Sequence, residues 1–462
     1  MDTNIFREYD IRGIVGEQLT NETVVKVTRA IGTFFANHDA TRIAIGYDVR
    51  ESSRPFYGML TEALLACGRQ VLQIGMVPTP VLYHTVHTEA VDGGVMVTGS
   101  HNPPHHNGFK IALGTKTLFG EQIREIRDIA LQPAPPSVAG YPQQGVVNRL
   151  DVLPNYVEDL VSRISMGDRQ LKVVVDGGNG MGGVTAVPVY QKLGVELLEL
   201  YTEPDSAFPN HHADPTVEAN LHDLVAAVRE HGADLGIAFD GDGDRIGVVD
   251  ETGRIIWGDE LMILLAREIL GVNPGATIIA EVKCSQNLFD DIERRGGTAI
   301  MERAGHSIIK SAIKRTGALL AGEMSGHIFF ADRFYGFDDA TYAGARLLEI
   351  LSRTNKQLSQ LFEGIPQTFS TPELRIDCPE QIKVPVVTKV AEDFAQSHDV
   401  ITIDGARIIF ENGWGLVRAS NTQAILVMRF EAGTKEDLDA IRSSVEKAVN
   451  HAIMEISQVR RS

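Results

Sequence analysis

Leu235-Gly-Ile-Ala-Phe239, followed at once by Asp240-Gly-Asp-Gly-Asp-Arg245, is a short apolar run that breaks into three carboxylates spaced by glycine. The run reads as a strand and the turn as a loop beyond its carboxyl end. Sheets built of alternating strands and helices hold their ligands in such loops. The same beat recurs. Residues 42–46, 93–97, 172–175, 277–280 and 319–321 are further short runs, each followed by a glycine-rich or polar turn and then a helical pattern. That alternation predicts α/β units with parallel or mixed sheets.

Punctuation divides the chain into four units. A proline-rich stretch, 132–144, links a first unit, 1–145, to a second, 146–248, which closes on the acidic motif. A third, 249–362, ends shortly before Pro366 and Pro372. The last, 363–462, differs in character. Residues 400–403, 407–410, 415–418 and 425–430 read as strands in quick succession. Residues 436–456 read as a helix, with Leu438, Ile441, Val445, Val449, Ala452 and Ile456 near helical spacing. That unit is α+β rather than doubly wound. There is no low-complexity segment and no short exact repeat.

With 462 residues, 43% hydrophobic and 23% charged, the chain has material for several cores of an ordinary soluble protein. Its net charge of −18 argues against binding nucleic acid or an anionic membrane, although a few Arg and Lys in one cleft can still receive a small anion. Cys67, Cys284 and Cys378 are far apart and in no CxxC pair, which predicts a reducing compartment without a disulfide framework. The charged N-terminus lacks the apolar core of a signal peptide, and no apolar run approaches the ~18 residues of a membrane span. A cytoplasmic enzyme or binding protein is expected, monomeric and without an obligate protein partner.

Asp240, Asp242 and Asp244 can converge on one hard cation, Mg²⁺ or Ca²⁺, because their donors are all oxygen. An EF-hand would take Asp240, Asp242, Asp244 and Glu251 as ligands. It also needs a glycine where Arg245 stands and a helix where the apolar strand stands, so that reading fails. A second loop, Thr98-Gly-Ser100-His-Asn-Pro-Pro104 with Asn107-Gly-Phe-Lys110, presents a hydroxyl among small residues. Ser100 serves as nucleophile or phosphate carrier only if something such as Lys110 and a nearby cation supports it. Taken alone, the loop is equally a plain Ser/Asn/Pro turn. His101, His105 and His106 match no zinc spacing and read as surface histidines. A third loop, Gly322-Glu-Met-Ser-Gly-His327, offers Glu323 and Ser325 to sugar hydroxyls, or is an ordinary strand-to-helix turn. A fourth, Arg418-Ala-Ser-Asn-Thr422, is a phosphate cradle or a hairpin turn. Finally, Gly178-Asn-Gly180-Met-Gly-Gly183 follows a strand, with Glu199 about twenty residues on, as a dinucleotide fold wants. An NAD-dependent oxidoreductase would leave the other loops unused, and Pro188 falls inside the helix that it needs. Close backbone packing explains those glycines better.

Together the loops resemble the α-D-phosphohexomutase superfamily, in order and through nearly the whole chain. Glu8-Tyr-Asp-Ile-Arg12-Gly resembles its N-terminal signature, and Thr98–Pro103 its phosphoserine loop. Asp240–Arg245 resembles its metal loop, Gly322–His327 its sugar loop, and Arg418–Thr422 its phosphate loop. Met324 and Ser420-Asn421-Thr422 are similar to the bacterial phosphomannomutase/phosphoglucomutase branch. Phosphoglucosamine mutases usually place Gln and Ser-Gly-Thr there.

The resemblance implies three α/β domains of mixed sheets and a smaller α+β fourth domain around a central cleft. It implies transfer of a phosphoryl group between C1 and C6 of mannose and glucose phosphates through phosphorylated Ser100 and a 1,6-bisphosphate. Mg²⁺ would be held by Ser100, Asp240, Asp242 and Asp244, and glucose 1,6-bisphosphate would activate. Arg12, Lys110, Arg245 and His327 would act at the reacting end. Tyr9, Lys283, His306, Glu323, Ser325, Arg418, Ser420, Asn421 and Thr422 would bind substrate. The competing readings are a phosphoglucosamine mutase, the NAD-dependent oxidoreductase, and a non-catalytic sugar-phosphate-binding protein. The intact Ser100 and aspartate loops oppose the last.

Overall fold

The computed structural model describes residues 1–133, 145–420 and 424–459. The proline-rich link expected at 132–144 lies almost wholly outside them. Among the described residues, the strands form four sheets. Three of these share one plan. In the first sheet the order is His106–Leu113, Gly93–Val97, Arg42–Tyr47, Gln70–Met76, with Ile11–Ile14 beyond one edge and Val147–Arg149 beyond the other. In the second it is Ile246–Asp250, Leu235–Phe239, Lys172–Asp176, Glu196–Leu200, and in the third Ile328–Phe330, Leu320–Gly322, Thr277–Glu281, Thr298–Glu302. Numbered by chain order within each unit, all three read fourth, third, first, second. The first three strands run parallel and the fourth returns antiparallel to the third. The repeat is one of topology, carried by burial pattern and not by identical residues.

This plan corrects one expectation. The runs at 93–97, 235–239 and 319–321 do not lead through their turns into helices. Each turns back as a strand: Val97 lies opposite Phe109, Phe239 opposite Ile246, and Gly322 opposite Ile328. Two of the return segments, Ile246–Asp250 and Ile328–Phe330, are short and buried throughout, so they show no alternation to set them apart from helix.

The divisions expected at 145 and 248 do not coincide with the sheets. Val147–Arg149 pairs with Gln70–Met76 in the first sheet, and Ile255–Ile256 pairs with Ile246–Asp250 in the second. The second and third units also share one apolar core. Helix Gly182–Lys192 packs on helix Ala340–Ser352, and Tyr190 donates its hydroxyl to the Thr341 carbonyl at 3.1 Å.

The fourth sheet is antiparallel throughout: Phe369–Ser370, Ile425–Ala432, Gly413–Ala419, Ala406–Phe410 and Asp399–Ile401, with Leu374–Asp377 also on Ile425–Ala432. The expected terminal helix is Lys435–Val459. It lays Leu438, Ile441, Val445, Val449 and Ala452 on the sheet beside helix Glu380–Phe394. The three cysteines are free and buried. Among the described residues, no helix is long and apolar enough to cross a membrane.

Candidate active site

The hairpin between Gly93–Val97 and His106–Leu113 lifts Ser100 off the end of the first sheet and sets Lys110 on the return strand, opposite Met96. Ser100 has φ +49°, a left-handed conformation that costs an L-residue about 1–2 kcal/mol and needs holding. Thr98 Oγ1 accepts its N–H at 2.8 Å. Its buried Oγ donates to Asp240 Oδ2 at 3.0 Å and lies 3.2 Å from His101 Nδ1. His101 is therefore not the surface histidine expected. It is half-buried against the serine, and burial, with Arg245 next, drives its imidazole well below the ordinary value.

The aspartate hairpin comes from the second sheet and holds itself. Asp240 Oδ1 accepts the N–H groups of Asp244 and Arg245 at 3.0 and 3.1 Å. Asp240, Asp242 and Asp244 are fully buried, and one oxygen from each lies within 4.8 Å of the others. Burial, then Asp244 and Asp242, push the Asp240 carboxyl well above its ordinary value, and burial and Asp242 raise Asp244. Burial acts upward on Asp242 too, but the Lys110 ammonium, 2.7 Å from its Oδ2, holds it low. Lys110 bonds Asp244 as well. Asp242 Oδ1 and Asp244 Oδ1 remain buried with no hydrogen-bond partner among the described residues. Convergent, unpartnered carboxylate oxygens fit a hard divalent cation such as Mg²⁺. Glu251, the would-be last ligand of an EF-hand, accepts from Ser359 instead.

The third hairpin places Glu323, Ser325 and His327. Glu323 Oε1 accepts the Gly305 N–H at 2.8 Å, and Ser325 donates to its Oε2 at 3.1 Å. His327 joins the hairpins: Arg245 Nε donates to its Nε2 at 3.0 Å, and its Nδ1 lies 3.1 Å from Asp338 Oδ2 and 3.6 Å from Asp244 Oδ1. Lys310 pairs with the other oxygen of Asp338 at 2.9 Å. His306 stacks near His327 and meets the Tyr9 ring edge-on at 5.1 Å. Burial, then Lys310, keep His306 well below its ordinary value. Arg12 pairs with Asp10 at 2.5 Å and reaches Asn102 Oδ1 at 3.4 Å.

The strands that flank the fourth loop, Gly413–Ala419 and Ile425–Ala432, pair antiparallel. Arg418 is buried and pairs with Asp404 at 2.9 Å, and its Nε has no hydrogen-bond partner among the described residues. Lys283 pairs with Glu373 across the boundary of the third and fourth units at 3.2 Å. Ser420 is bonded through its backbone to Ile425 and Lys383. Asn421 and Thr422 lie outside the described residues.

Sequence reading missed the charged groups that hold these residues: Asp48 and Arg50 behind Ser100, and Asp338 and Lys310 behind His327. A signal was present. Asp48-Val-Arg50 directly follows a strand, and Asp338-Asp339 precedes an apolar helix. The glycine-rich turn did form as strand, turn and helix, and helix Gly182–Lys192 runs through Pro188, so the objection from proline was mistaken. What removes the dinucleotide is packing. A Cβ on Gly180 would stand 2.9 Å from Gly241 Cα, and one on Gly182 would strike the Phe239 ring. The Met181 N–H donates to the Gly241 carbonyl at 3.0 Å. The turn buttresses the aspartate loop and leaves no place for a pyrophosphate.

Four consecutive family models match: phosphoglucomutase/phosphomannomutase alpha/beta/alpha domain I at residues 3–134, domain II at 154–253, domain III at 257–369, and the C-terminal domain at 373–448. A phosphomannomutase/phosphoglucomutase of Pseudomonas aeruginosa is 46% identical over 445 residues, covering 96% of this chain and 95% of that one. A phosphoglucomutase of Neisseria meningitidis is 46% identical over 451 residues, covering 96% of each. A crystal structure of a phosphoglucomutase/phosphomannomutase family protein from Burkholderia thailandensis superimposes with a TM-score of 0.91 at 40% identity, covering 98% of each chain.

Proposed function

The chain belongs to the phosphoglucomutase/phosphomannomutase family, and from that premise we propose that Ser100 carries the phosphoryl group. The chain is an isomerase that moves phosphate between C1 and C6 of hexose phosphates. The observation that supports the assignment is the junction of the first two hairpins. A hydroxyl held in a strained turn touches one of three buried carboxylates that each bring an oxygen within 4.8 Å of the others. Two of the three keep an oxygen without a hydrogen-bond partner among the described residues.

In the proposed cycle, phosphoserine 100 gives its phosphoryl group to the free hydroxyl of a hexose 1- or 6-phosphate. The Ser100 Oγ–P bond breaks as the sugar O–P bond forms. The 1,6-bisphosphate turns over, and its other phosphate returns to Ser100. Asp240, Asp242 and Asp244, with Ser100, would hold Mg²⁺, which when bound offsets charge on the transferring group. Lys110 and Arg245 add fixed positive charge at the same point, and such preorganised charge supplies most of what phosphoryl transfer requires. Arg12 and His327 attend the reacting hydroxyl. Tyr9, Lys283 and His306 border the sugar. Glu323 and Ser325 take its 3- and 4-hydroxyls, and Arg418 and Ser420, with Asn421 and Thr422, take the distant phosphate. Glucose 1,6-bisphosphate would restore a Ser100 that has lost its phosphate. A cytoplasmic monomer is the expected state.

Glucose and mannose share carbons 3 and 4, so a site read there accepts both epimers. A galactose phosphate, inverted at carbon 4, would leave Glu323 or Ser325 badly paired, at about 1–3 kcal/mol for each unpaired buried group. Steady-state kinetics should give comparable kcat/KM on glucose 1-phosphate and mannose 1-phosphate. Galactose 1-phosphate and glucosamine 1-phosphate should be about tenfold to a hundredfold poorer. If glucosamine 1-phosphate were the best substrate, the chain would be reassigned to phosphoglucosamine mutase.

A further inference from the structure

Arg50 lies 3% exposed at the end of strand Arg42–Tyr47, behind the serine loop, and every hydrogen-bond direction of its guanidinium is spent there. Nη2 donates to the Ser100 carbonyl at 2.7 Å and to the Asn102 carbonyl at 2.5 Å. Nη1 donates to Pro103 at 2.7 Å and to His106 at 3.1 Å. Nε donates to Asp48 Oδ2 at 3.1 Å, and that same oxygen accepts the Gly99 N–H at 3.1 Å. A Cβ on Gly99 would fall 2.5 Å from the guanidinium carbon. Arg50 therefore fixes the backbone from Ser100 onward, and Asp48, which it clamps, fixes the residue before Ser100, whose own φ is +49°.

The fork geometry of a guanidinium is needed to reach four carbonyls at once, and an ammonium cannot reproduce it. The five N–H donors of Arg50 are all taken by the serine loop and Asp48, so none is left to bind substrate. An effect on the reaction has to pass through the serine. Phosphoryl transfer depends on placing the oxygen in line with the group it receives, and a displacement of about 1 Å costs on the order of a hundredfold in rate.

We propose that Arg50, clamped by Asp48, is a positioning residue for Ser100. It holds the phosphoryl carrier in its left-handed turn against the aspartate loop without touching the sugar. The proposal rests on Ser100 being that carrier.

The test compares wild-type enzyme with Arg50→Lys and with the milder Asp48→Asn, all saturated with Mg²⁺ and primed with glucose 1,6-bisphosphate. Arg50→Lys should lower kcat for glucose 1-phosphate about a hundredfold and leave KM within about threefold, as for an interaction that matters only in transfer. Asp48→Asn should shift kcat in the same direction by less. The ³¹P resonance of phosphoserine should move in both variants, which a generally loosened fold with native active molecules would not produce. Either variant alone suffices if the other fails to fold. Wild-type kcat in a folded variant, or KM rising as far as kcat falls, would overturn the proposal. Wild-type enzyme without phosphoserine at residue 100 would instead overturn the carrier assignment beneath it.

Discussion

The hairpin that carries Ser100 and the hairpin that carries Asp240, Asp242 and Asp244 occupy the same place in two sheets of the same strand order, yet they are held in opposite ways. The longer serine hairpin, from Thr98 to His105, is fixed from behind by Asp48 and Arg50 and stores steric strain at one residue. The aspartate hairpin, from Asp240 to Arg245, is closed by its own first side chain and stores charge. One scaffold thus presents the proposed phosphoryl carrier and the candidate cation site, and the difference lies in which kind of strain each loop carries.

Removing charge from the second loop should have the larger effect. Asp242→Asn keeps the shape but deletes one of three charges and a partner of Lys110. With Mg²⁺ at the wild-type optimum, kcat/KM should fall on the order of a hundredfold or more, since single preorganised charges at a reacting centre count for that much. Activity should recover in part at higher Mg²⁺. A metal titration read by kinetics and by calorimetry checks both. Unchanged metal affinity would sever the loop from its assigned role.

The contact between the hairpins is the next point to break. A Cβ on Gly241 would overlap the Ser100 carbonyl oxygen. Gly241→Ala should push the loops apart and lower kcat about tenfold to a hundredfold with little change in KM. Gly271→Ala, with nothing within 4 Å, should leave both unchanged.

The smallest effect separates the two kinds of strain by pH. In EDTA, Asp240 and Asp244 have folded-state values raised above the ordinary 3.8. A raised carboxyl contributes stability below its unfolded value and loses it as pH rises through the folded one. Asp242, held low, contributes stability that is already complete above the ordinary value and does not change as pH rises further. The metal-free protein should therefore lose a few degrees of Tm as pH rises above the ordinary carboxyl value, and Mg²⁺ should restore more at about pH 8 than at about pH 5. Asp240→Asn should flatten the metal-free slope. An equal slope in that variant would show that the charge is stored elsewhere.

What was legible in the sequence follows the same division. The acidic loop stands out in the sequence because three carboxylates between glycines have few other uses, whereas the serine loop, an ordinary turn when taken alone, stands out only in conjunction with the other loops. The return strands could not be read. Ile246–Asp250 and Ile328–Phe330 are short and buried throughout, and a run of that kind fits helix or strand equally. The supports were hidden for another reason. Arg50 and Asp338 are charged residues next to elements, where solvated charges are ordinary, and only the fold shows them buried against Ser100 and His327. The glycines at 178–183 admit two readings because a turn packed on a neighbouring backbone and a turn made for a pyrophosphate need the same residue, and the packing reading is the one the structure bears out.

The central claim is that Ser100 holds the phosphoryl group between the two hairpins. Mass spectrometry of the intact purified protein, with peptide mapping before and after mixing with glucose 6-phosphate, tests it most directly. The account predicts a fraction heavier by about 80 Da, one phosphoryl group, mapped to Ser100. That fraction should shrink on mixing as glucose 1,6-bisphosphate appears. Active enzyme with no phosphate on Ser100, or with phosphate on another residue that discharges to the sugar instead, would contradict it.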